Sequence, residues 1–341
     1  LKSRRASGAS GRLGFTFNDP DLATTPRRSF PWAAAIVVGA YPYAPGRASA
    51  PIPGTTRVSA AARAPGYAPI WAALSRVAEA LTSEGYRAEV LVDDNRLVDR
   101  AVAVRAGLGW WGKNTMVLAP GLGPWFFLGS VVTDAPIAAD QPMNRDCGSC
   151  SACIPACPTG ALVAPGLLDA RRCLAAWAQT PGVIPLEFRK AMGDRIYGCD
   201  DCIEACPPGH RVEATTEGIR FSLDEILFVS DQRLLEIFGH WFIPNRDPRI
   251  IRRNALIAAG NSGLNSLARV VAPYAGHPDW LLRAHSLWAL SQLGGRVAEA
   301  VIVDRALVES DHRVRIELES ARMALMTAHP TTGSVAPPMG K

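Results

Sequence analysis

Short apolar runs alternate with amphipathic segments in the first part of the chain, a pattern typical of an α/β domain. Unbroken or alternating apolar residues indicate strands, whereas apolar residues at helical spacing indicate helices. By these criteria the chain has predicted strands at 35–39, 88–92, 115–118 and 125–132, and predicted helices at 70–83 and 99–106. Residues 44–66 are rich in Pro, Gly and Ala, which predicts a long loop. We therefore expect an α/β domain over residues 1–140.

The last third of the chain carries an internal repeat with a period of 32 residues. Each copy opens with Asp, apolar residues and Arg, and the three copies begin at Asp247, Asp279 and Asp311. Asp is a favoured helix N-cap, and stacked helices would share the Leu and Ala residues that follow. The repeat predicts an α-helical, HEAT-like domain over residues 216–330, followed by a disordered tail at 331–341.

Composition is that of an ordinary soluble globular protein. The 341 residues are 48% hydrophobic and 20% charged, enough apolar material for two or three cores. The apolar run at 32–40 is far shorter than the roughly 20 residues that span a bilayer, so no membrane partner is expected. The net charge of +5 is compatible with nucleic acid without requiring it.

Cysteine placement changes this picture, because all eight cysteines lie between positions 147 and 206. A disulfide framework is normally spread over the parts that it joins, so the clustering favours metal ligation. Cys147, Cys150, Cys153 and Cys157, followed by Pro158, have the bacterial ferredoxin spacing, in which the fourth thiolate ligates the neighbouring cluster. The spacing predicts a ferredoxin-like double iron-sulfur cluster domain over residues 141–215.

Exchange of the fourth ligand divides the thiolates into two complete sets, each sufficient for one four-iron, four-sulfur cluster. The predicted first set is Cys147, Cys150, Cys153 and Cys206, and the predicted second set is Cys157, Cys173, Cys199 and Cys202. The alternative is structural zinc. A zinc site usually combines two separated pairs of ligands and does not need a third closely spaced thiolate.

Two further motifs allow more than one interpretation. Residues 107–112 match a dinucleotide-binding fingerprint, but they follow a predicted helix and lead into a strand, which is the wrong order. We interpret these glycines as a tight loop that approaches a flat ligand or another backbone. Asp93 and Asp94 follow a predicted strand, where active-site groups of α/β folds are common, although a turn or helix cap is the competing role.

Several segments taken together resemble epoxyqueuosine reductases. They are Val92-Asp93, RAGLGWWGKNT at 105–115, WFFLG at 125–129, Thr133-Asp134 and RIYGCDDC at 195–202, combined with the ferredoxin motif. The resemblance covers about residues 30–325, and the order of the segments is more specific than the cysteines alone.

The resemblance implies a cobalamin-dependent reduction of epoxyqueuosine to queuosine at the wobble position of tRNA. Cobalamin would lie between the α/β domain and the two clusters, and Asp93 would be the general acid. An external donor of the flavodoxin or ferredoxin type would supply electrons to a monomeric, cytoplasmic enzyme. By position, the resemblance also implies corrin contacts from Lys113, Asn114, Val117, Leu128, Asp200 and Asp201.

Two alternative functions remain open at the level of the sequence. One is a reductive dehalogenase-like corrinoid reductase of a small substrate, and the other is a non-catalytic iron-sulfur electron-transfer subunit. The helical tail also has two interpretations. Its cluster of Arg246, Arg249, Arg252 and Arg253 would either contact tRNA phosphates or bond neighbouring repeats.

Overall fold

The computed structural model describes residues 1–43, 51–212 and 220–328. Its strands are β1 (Ala35–Pro42), β2 (Thr55–Val58), β3 (Ala88–Leu91), β4 (Trp110–Trp111), β5 (Val117–Leu118), β6 (Phe126–Thr133), β7 (Leu162–Ala164), β8 (Leu167–Leu168), β9 (Arg195–Tyr197) and β10 (Arg220–Ser222).

The helices of the first two thirds are α1 (Lys2–Ala6), α2 (Pro20–Thr24), α3 (Pro26–Ser29), α4 (Ala60–Arg63), α5 (Ala68–Ser83), α6 (Asp99–Arg105), α7 (Cys153–Ala156), α8 (Leu174–Gln179), α9 (Leu186–Met192) and α10 (Asp201–Glu204). The helical last third contains α11 (Leu223–Phe228), α12 (Asp231–Phe238), α13 (Pro248–Asn261), α14 (Ala268–Val271), α15 (Trp280–Leu293), α16 (Gly295–Val308) and α17 (His312–Ala328).

The largest sheet has the order β1-β6-β3 and confirms three predicted strands. All neighbours are antiparallel, and Thr133 of β6 is opposite both Ala35 and Ala88. β6 is almost wholly buried because it has a partner on each side, whereas β1 is half-buried at the sheet edge. Gly39 and Gly129 are paired across the sheet and leave room for Leu74 of α5. Helix α5 can therefore pack directly on the strands.

The predicted long loop at 44–66 is wrong over part of its length. Strand β2 and helix α4 lie inside it, and residues 44–50 are outside the described part of the chain. β2 pairs in parallel with β9 and antiparallel with β10. Its hydrogen-bonding partners are therefore far away in sequence, where a local pattern gives no sign of them. This small sheet joins segments from all three domains that the sequence predicts.

The N-terminal segment packs on the cysteine-rich region as well as on the α/β domain. Arg4 Nη2 donates to the Gly166 carbonyl at 2.7 Å, and Arg12 Nη1 donates to the Pro181 carbonyl at 2.9 Å. Further along, the Phe15 ring lies 5.0 Å from the ring of Phe242. The N-terminal residues therefore contact the segment beyond residue 140. The domain boundary at residue 140 remains a prediction from the sequence.

The helical last third has the three aspartate caps that the repeat predicts. Asp247 accepts from the Arg249 amide, Asp279 from the Leu281 amide and Asp311 from the Arg313 amide. α13, α15 and α17 pack in succession and share one apolar core, which includes Leu256, Leu287 and Val314. The predicted disordered tail at 331–341 lies outside the described residues.

Two arginines of helix α13 are buried and form hydrogen bonds within the fold. Arg253 donates to the carbonyls of Thr180, Gly182 and Trp177, and so attaches α13 to the cysteine-rich region. Arg252 is likewise buried and pairs with Asp231. Of the two interpretations of the arginine cluster, internal bonding is the one that these two residues follow.

Arg249 is half-exposed and forms ion pairs with Asp247 and Asp279 at 2.7 and 2.6 Å. It therefore links two successive repeats.

Among the described residues, no helix combines the length and apolar character needed to cross a membrane.

Candidate active site

The structure brings together Cys147, Cys150, Cys153 and Cys206, which we call the first thiol set. Cys153 begins α7 and Cys206 follows α10, and these two short helices contact each other. Burial, and then the proximity of Cys147 and Cys153, raise the pKa of Cys206 to about 11. Trp110 packs beside Cys206 and Cys147, whereas Cys150 is exposed. The first thiol set therefore reaches the surface.

Cys157, Cys173, Cys199 and Cys202 form the second thiol set. Burial raises the pKa of Cys202, and the neighbouring Cys199, Cys173 and Cys157 raise it further. Burial also raises the pKa of Cys199 to about 12, against the opposing effect of Arg195. Thiolates crowded in this way need positive charge nearby, which iron would supply.

Cys157 belongs to the second thiol set although it lies only four residues after Cys153. α7 ends at Ala156, and the extended backbone at Cys157 directs the chain away from the first thiol set. The Ala161 amide donates to Cys157 Sγ at 3.2 Å. Burial raises the pKa of Cys157, but hydrogen bonds from Thr159 and Ala161 outweigh it and lower the pKa overall.

Among the described residues, no three His, Cys, Asp or Glu side chains are arranged to hold a single metal ion.

A broad cleft of about 620 Å³ opens beside the main sheet, and we call it the cleft from here on. Its acidic wall is the connection from β3 into α6, with Asp93, Asp94 and Asp99. Its apolar wall comes from β5 and β6, including Val117, Phe126 and Leu128. Tyr67 and Trp111 also line it, and both rings are exposed.

Asp93 occupies an unusual backbone position two residues after β3. Its φ of 54° lies in the left-handed region, which Asp tolerates better than most residues but which still costs free energy. Asp93 is exposed at the cleft mouth, yet the surrounding walls, and then Asp94, raise its pKa. A carboxyl group with a raised pKa can hold a proton for transfer.

Asp94 has the opposite electrostatic environment. Arg96 donates to both of its carboxylate oxygens, with Nη2 at 2.6 Å from Oδ2. These hydrogen bonds lower the pKa of Asp94. Adjacent carboxyl groups with pKa values shifted in opposite directions are typical of an acid beside a permanently charged partner. Asp93 is the member suited to donate a proton.

Asp99 is a third acid of the cleft, and sequence reasoning treated it as no more than the start of a helix. Its Oδ1 is buried and has no hydrogen-bond partner among the described residues. Burial, and then the charge of Asp93, raise the pKa of Asp99 to about 7, against the lowering effect of Arg100. The one available signal was its spacing, six residues after Asp93 at the opposite end of the same connection.

The corrin contacts expected from the resemblance divide into two groups. Val117 and Leu128 line the cleft. Asn114 is buried behind it, and its Nδ2 donates to the Cys202 carbonyl at 3.3 Å. Asn114 therefore connects the cleft to the second thiol set.

Lys113, Asp200 and Asp201 are engaged away from the lining of the cleft. Lys113 Nζ donates to the Gly148 carbonyl at 2.7 Å. Asp200 Oδ2 accepts from the Ala60 amide at 2.6 Å, and Asp201 pairs with Arg195 at 2.5 Å. All three side chains therefore form bonds within or to the cysteine-rich region.

The glycine-rich loop approaches other backbone segments. A Cβ on Gly107 would lie 2.5 Å from the Gln141 carbonyl oxygen, and one on Gly109 would overlap the Leu118 carbonyl. Helix α6 precedes this loop and β4 follows it, which is the order that the sequence indicates. Close backbone packing thus accounts for these two glycines.

Comparison with known proteins agrees with this arrangement. Residues 146–209 match the family model described as "4Fe-4S double cluster binding domain". Over 317 residues the chain is 31% identical to the epoxyqueuosine reductase of Staphylococcus aureus, an alignment that covers 89% of the chain and 83% of that protein. The chain belongs to the epoxyqueuosine reductase family.

Other epoxyqueuosine reductases match over shorter spans. The Bacillus subtilis protein is 36% identical over 246 residues, and the Vibrio cholerae protein is 40% identical over 223 residues. These alignments cover 64% and 58% of the two relatives, less than two thirds of their length.

Solved structures of epoxyqueuosine reductases are similar over nearly the whole chain. A selenomethionine-labelled epoxyqueuosine reductase has a TM-score of 0.86 at 31% identity, covering 95% of this chain and 92% of that one. A second structure, of the enzyme with a tRNA-Tyr epoxyqueuosine-modified stem loop, has a TM-score of 0.83 at 30% identity, covering 95% and 91%. Both the double-cluster segment and the helical last third therefore lie within the fold of the epoxyqueuosine reductase family.

Proposed function

We propose that this protein reduces epoxyqueuosine in tRNA to queuosine. The observation that carries the proposal is the cleft, where Asp93 has a raised pKa and Asn114 connects the wall to the second thiol set. Loss of the epoxide oxygen as water, with a carbon-carbon double bond left behind, consumes two electrons and two protons. The cleft therefore has to receive both electrons and protons.

Electrons would enter through the clusters that the two thiol sets hold. Each set supplies four thiolates, the number that a four-iron, four-sulfur cluster takes. The exposed Cys150 makes the first thiol set the entry point for an external donor of the flavodoxin or ferredoxin type. A cluster held by the second thiol set, whose Cys202 carbonyl accepts from Asn114, would pass the electrons to the cleft.

The chemistry of the cleft suits cobalamin. The space of about 620 Å³ is open at its mouth, and the apolar wall suits the face of a corrin ring. When bound, cobalamin supplies a strongly reducing cobalt centre next to the substrate. Val117 and Leu128 would pack against the ring, while Lys113, Asn114, Asp200 and Asp201 would position the segments behind it.

Asp93 acts as the general acid. The raised pKa keeps its carboxyl group protonated closer to neutral pH, so it can deliver a proton to the epoxide oxygen as that oxygen leaves. Its left-handed backbone directs the side chain from the end of β3 into the cleft, where the substrate binds. Asp94 stays ionised through its bonds to Arg96 and keeps the proton on Asp93.

The tRNA enters at the mouth of the cleft. Exposed Tyr67 and Trp111 provide aromatic faces on which an unstacked base can lie. A tRNA substrate makes the protein a cytoplasmic enzyme, and we propose that it works as a monomer.

The last third forms a HEAT-like stack. α13, α15 and α17 follow Asp caps at the same repeat spacing, and Arg249 bridges the first two caps. By this proposal the functional units are an α/β domain over 1–140, an iron-sulfur domain over 141–215 and the helical stack over 216–330.

Anaerobic reconstitution with iron, sulfide and cobalamin, followed by assay on tRNA carrying epoxyqueuosine, tests this function. We expect conversion to queuosine, detected by nucleoside mass spectrometry as the loss of one oxygen. An Asp93→Asn protein loaded to the same iron and cobalamin content is the matched control. A loaded parent protein that leaves epoxyqueuosine unchanged would refute the proposal, and retention of clusters without cobalamin would favour an electron-transfer subunit.

A further inference from the structure

We propose that Asp99 is the proton reservoir of the cleft and returns a proton to Asp93 during each turnover. The inference rests on the proposed function and extends it to a residue that acts through Asp93. Removal of the epoxide oxygen as water requires two protons, and Asp93 carries one. A second source inside the cleft would let the same donor position act twice.

The position of Asp99 suits this task. It opens α6, while Asp93 follows β3 by two residues, so one short connection presents both acids to the same cleft. Asp99 Oδ1 is withdrawn from solvent and has no hydrogen-bond partner among the described residues. Leaving a carboxyl oxygen buried and unpaired costs free energy. The helix does not recover this cost through a cap, because its N-cap is Val98.

Charged and titratable groups of several described segments surround Asp99, and Arg4 also lines the cleft. Asp93 and Asp94 of the connection disfavour its ionised form, and Arg100 on its own helix favours that form. Burial, and then the charges of Asp93 and Asp99, raise the pKa of Tyr67 at the start of α5. Two interacting acids titrate as a pair, so the pair retains a proton near neutral pH after either member alone would have lost it.

The proton balance follows from this pairing. Asp93 passes its proton to the leaving epoxide oxygen and becomes a carboxylate. Asp99 then transfers its proton to the Asp93 carboxylate, directly or through one water molecule. The restored acid protonates the oxygen a second time, and the oxygen departs as water. The external donor supplies the two electrons, and solvent returns one proton to Asp93 and one to Asp99 between turnovers.

Kinetics of the reconstituted holoenzyme across pH 5–9 test the proposal, with tRNA carrying epoxyqueuosine as substrate. We expect the parent kcat to fall as pH rises above about 7, where Asp99 loses its proton. Asp99→Asn keeps the size of the side chain but holds no acidic proton. Its kcat should be lower by about 10- to 100-fold at pH 6, with the fall near pH 7 abolished and KM little changed.

Infrared spectroscopy of the same holoenzymes gives a readout independent of turnover. The parent should show a protonated carboxyl band that disappears near pH 7, and Asp99→Asn should lack it. Asp304→Asn, at an exposed site in the helical stack, is the matched control and should change neither the band nor kcat. Asp99→Glu restores a titratable group and should recover part of the rate, with the limb of the pH profile displaced.

The outcomes separate this inference from the proposed function. If the loaded parent protein forms no queuosine, the proposed function fails first. If the parent is active and Asp99→Asn shows the same pH profile and the same carboxyl band as the parent, the reservoir role of Asp99 is refuted. If Asp99→Asn does not load its cofactors, Asp99→Glu decides. A loaded Asp99→Glu protein whose kcat falls at the same pH as that of the parent refutes the proposal. A fall displaced to another pH supports it.

Discussion

Asn114 Nδ2 donates to the backbone carbonyl of Cys202 at 3.3 Å, and the Asn114 side chain is buried. The same side chain accepts from the Met116 amide through Oδ1. One amide group therefore joins the loop that turns into the cleft wall to the segment that carries the second thiol set.

Asn114→Ala should lower the free energy of unfolding by about 2 kcal/mol, because it leaves a part-buried carbonyl and a part-buried amide without their partner. Anaerobic urea denaturation of the cluster-loaded protein measures the change. The neighbouring Lys113→Ala is the control, since Lys113 bonds Gly148 at an exposed site and should cost less than about 0.5 kcal/mol. Equal losses in the two variants would contradict a special role for Asn114.

Iron content and cluster spectra test the thiol sets. The protein should hold about eight iron atoms, as two four-iron clusters require. Cys157→Ser should damage the cluster of Cys199 and Cys202, and Cys150→Ser the one of Cys147 and Cys206. Electron paramagnetic resonance of the reduced variants distinguishes the two clusters. Damage to the same cluster in both variants would overturn the assignment.

Asp93→Asn should retain iron and cobalamin while turnover falls by about 10²- to 10⁴-fold, since the amide keeps the shape but cannot donate a proton. Single-turnover assays at matched loading measure this effect. Asp94→Asn is the contrasting variant. It removes the charge that Arg96 holds and should reduce turnover much less, by lowering the pKa of Asp93. Full activity of Asp93→Asn would leave Asp93 as a turn residue.

Asp99 should make the fold less stable as pH rises. Its pKa is raised to about 7 in the folded protein, so the folded state binds the proton more tightly than the unfolded chain does. The associated stability is complete below about pH 4 and disappears as pH rises through 7. Asp99→Asn should therefore raise Tm above pH 7 relative to the parent protein, with the difference shrinking towards pH 4. Calorimetry near pH 4 and above pH 7 checks the sign of this difference in Tm. A difference in Tm that does not depend on pH would contradict the prediction.

Arg253 and Arg249 offer a comparison between buried and exposed arginines of one helix. Arg253→Met should cost about 3 kcal/mol or more, because the carbonyls of Thr180, Gly182 and Trp177 lose their donor. Arg249→Ala should cost about 1 kcal/mol or less, since its ion pairs are half-exposed. Melting curves on both variants decide, and the reverse ranking would refute a structural role for Arg253.

Arg249 also has a binding readout. If it contacts a tRNA phosphate in addition to its two aspartates, Arg249→Ala should flatten the logarithmic salt dependence of tRNA affinity by about one unit. An unchanged slope would restrict Arg249 to linking the repeats.

Local sequence determined the elements whose signals lie within a few residues. The strands of the main sheet, helices α5 and α6 and the Asp caps of the last third follow from apolar periodicity and from the side-chain oxygen of Asp, which both act at short range. The ferredoxin spacing likewise identified the double-cluster segment, because in this motif three ligands of one cubane come from one short loop.

Tertiary structure alone decided what depends on distant segments. Strand β2 exists because β9 and β10 satisfy its backbone hydrogen bonds, and its own residues read as loop. Arg253 is buried because three distant carbonyls replace its water, a contact that no local pattern contains. Asp99 gained its raised pKa when folding removed its Oδ1 from solvent in the cleft that also contains Asp93, since desolvation is a property of the assembled cleft.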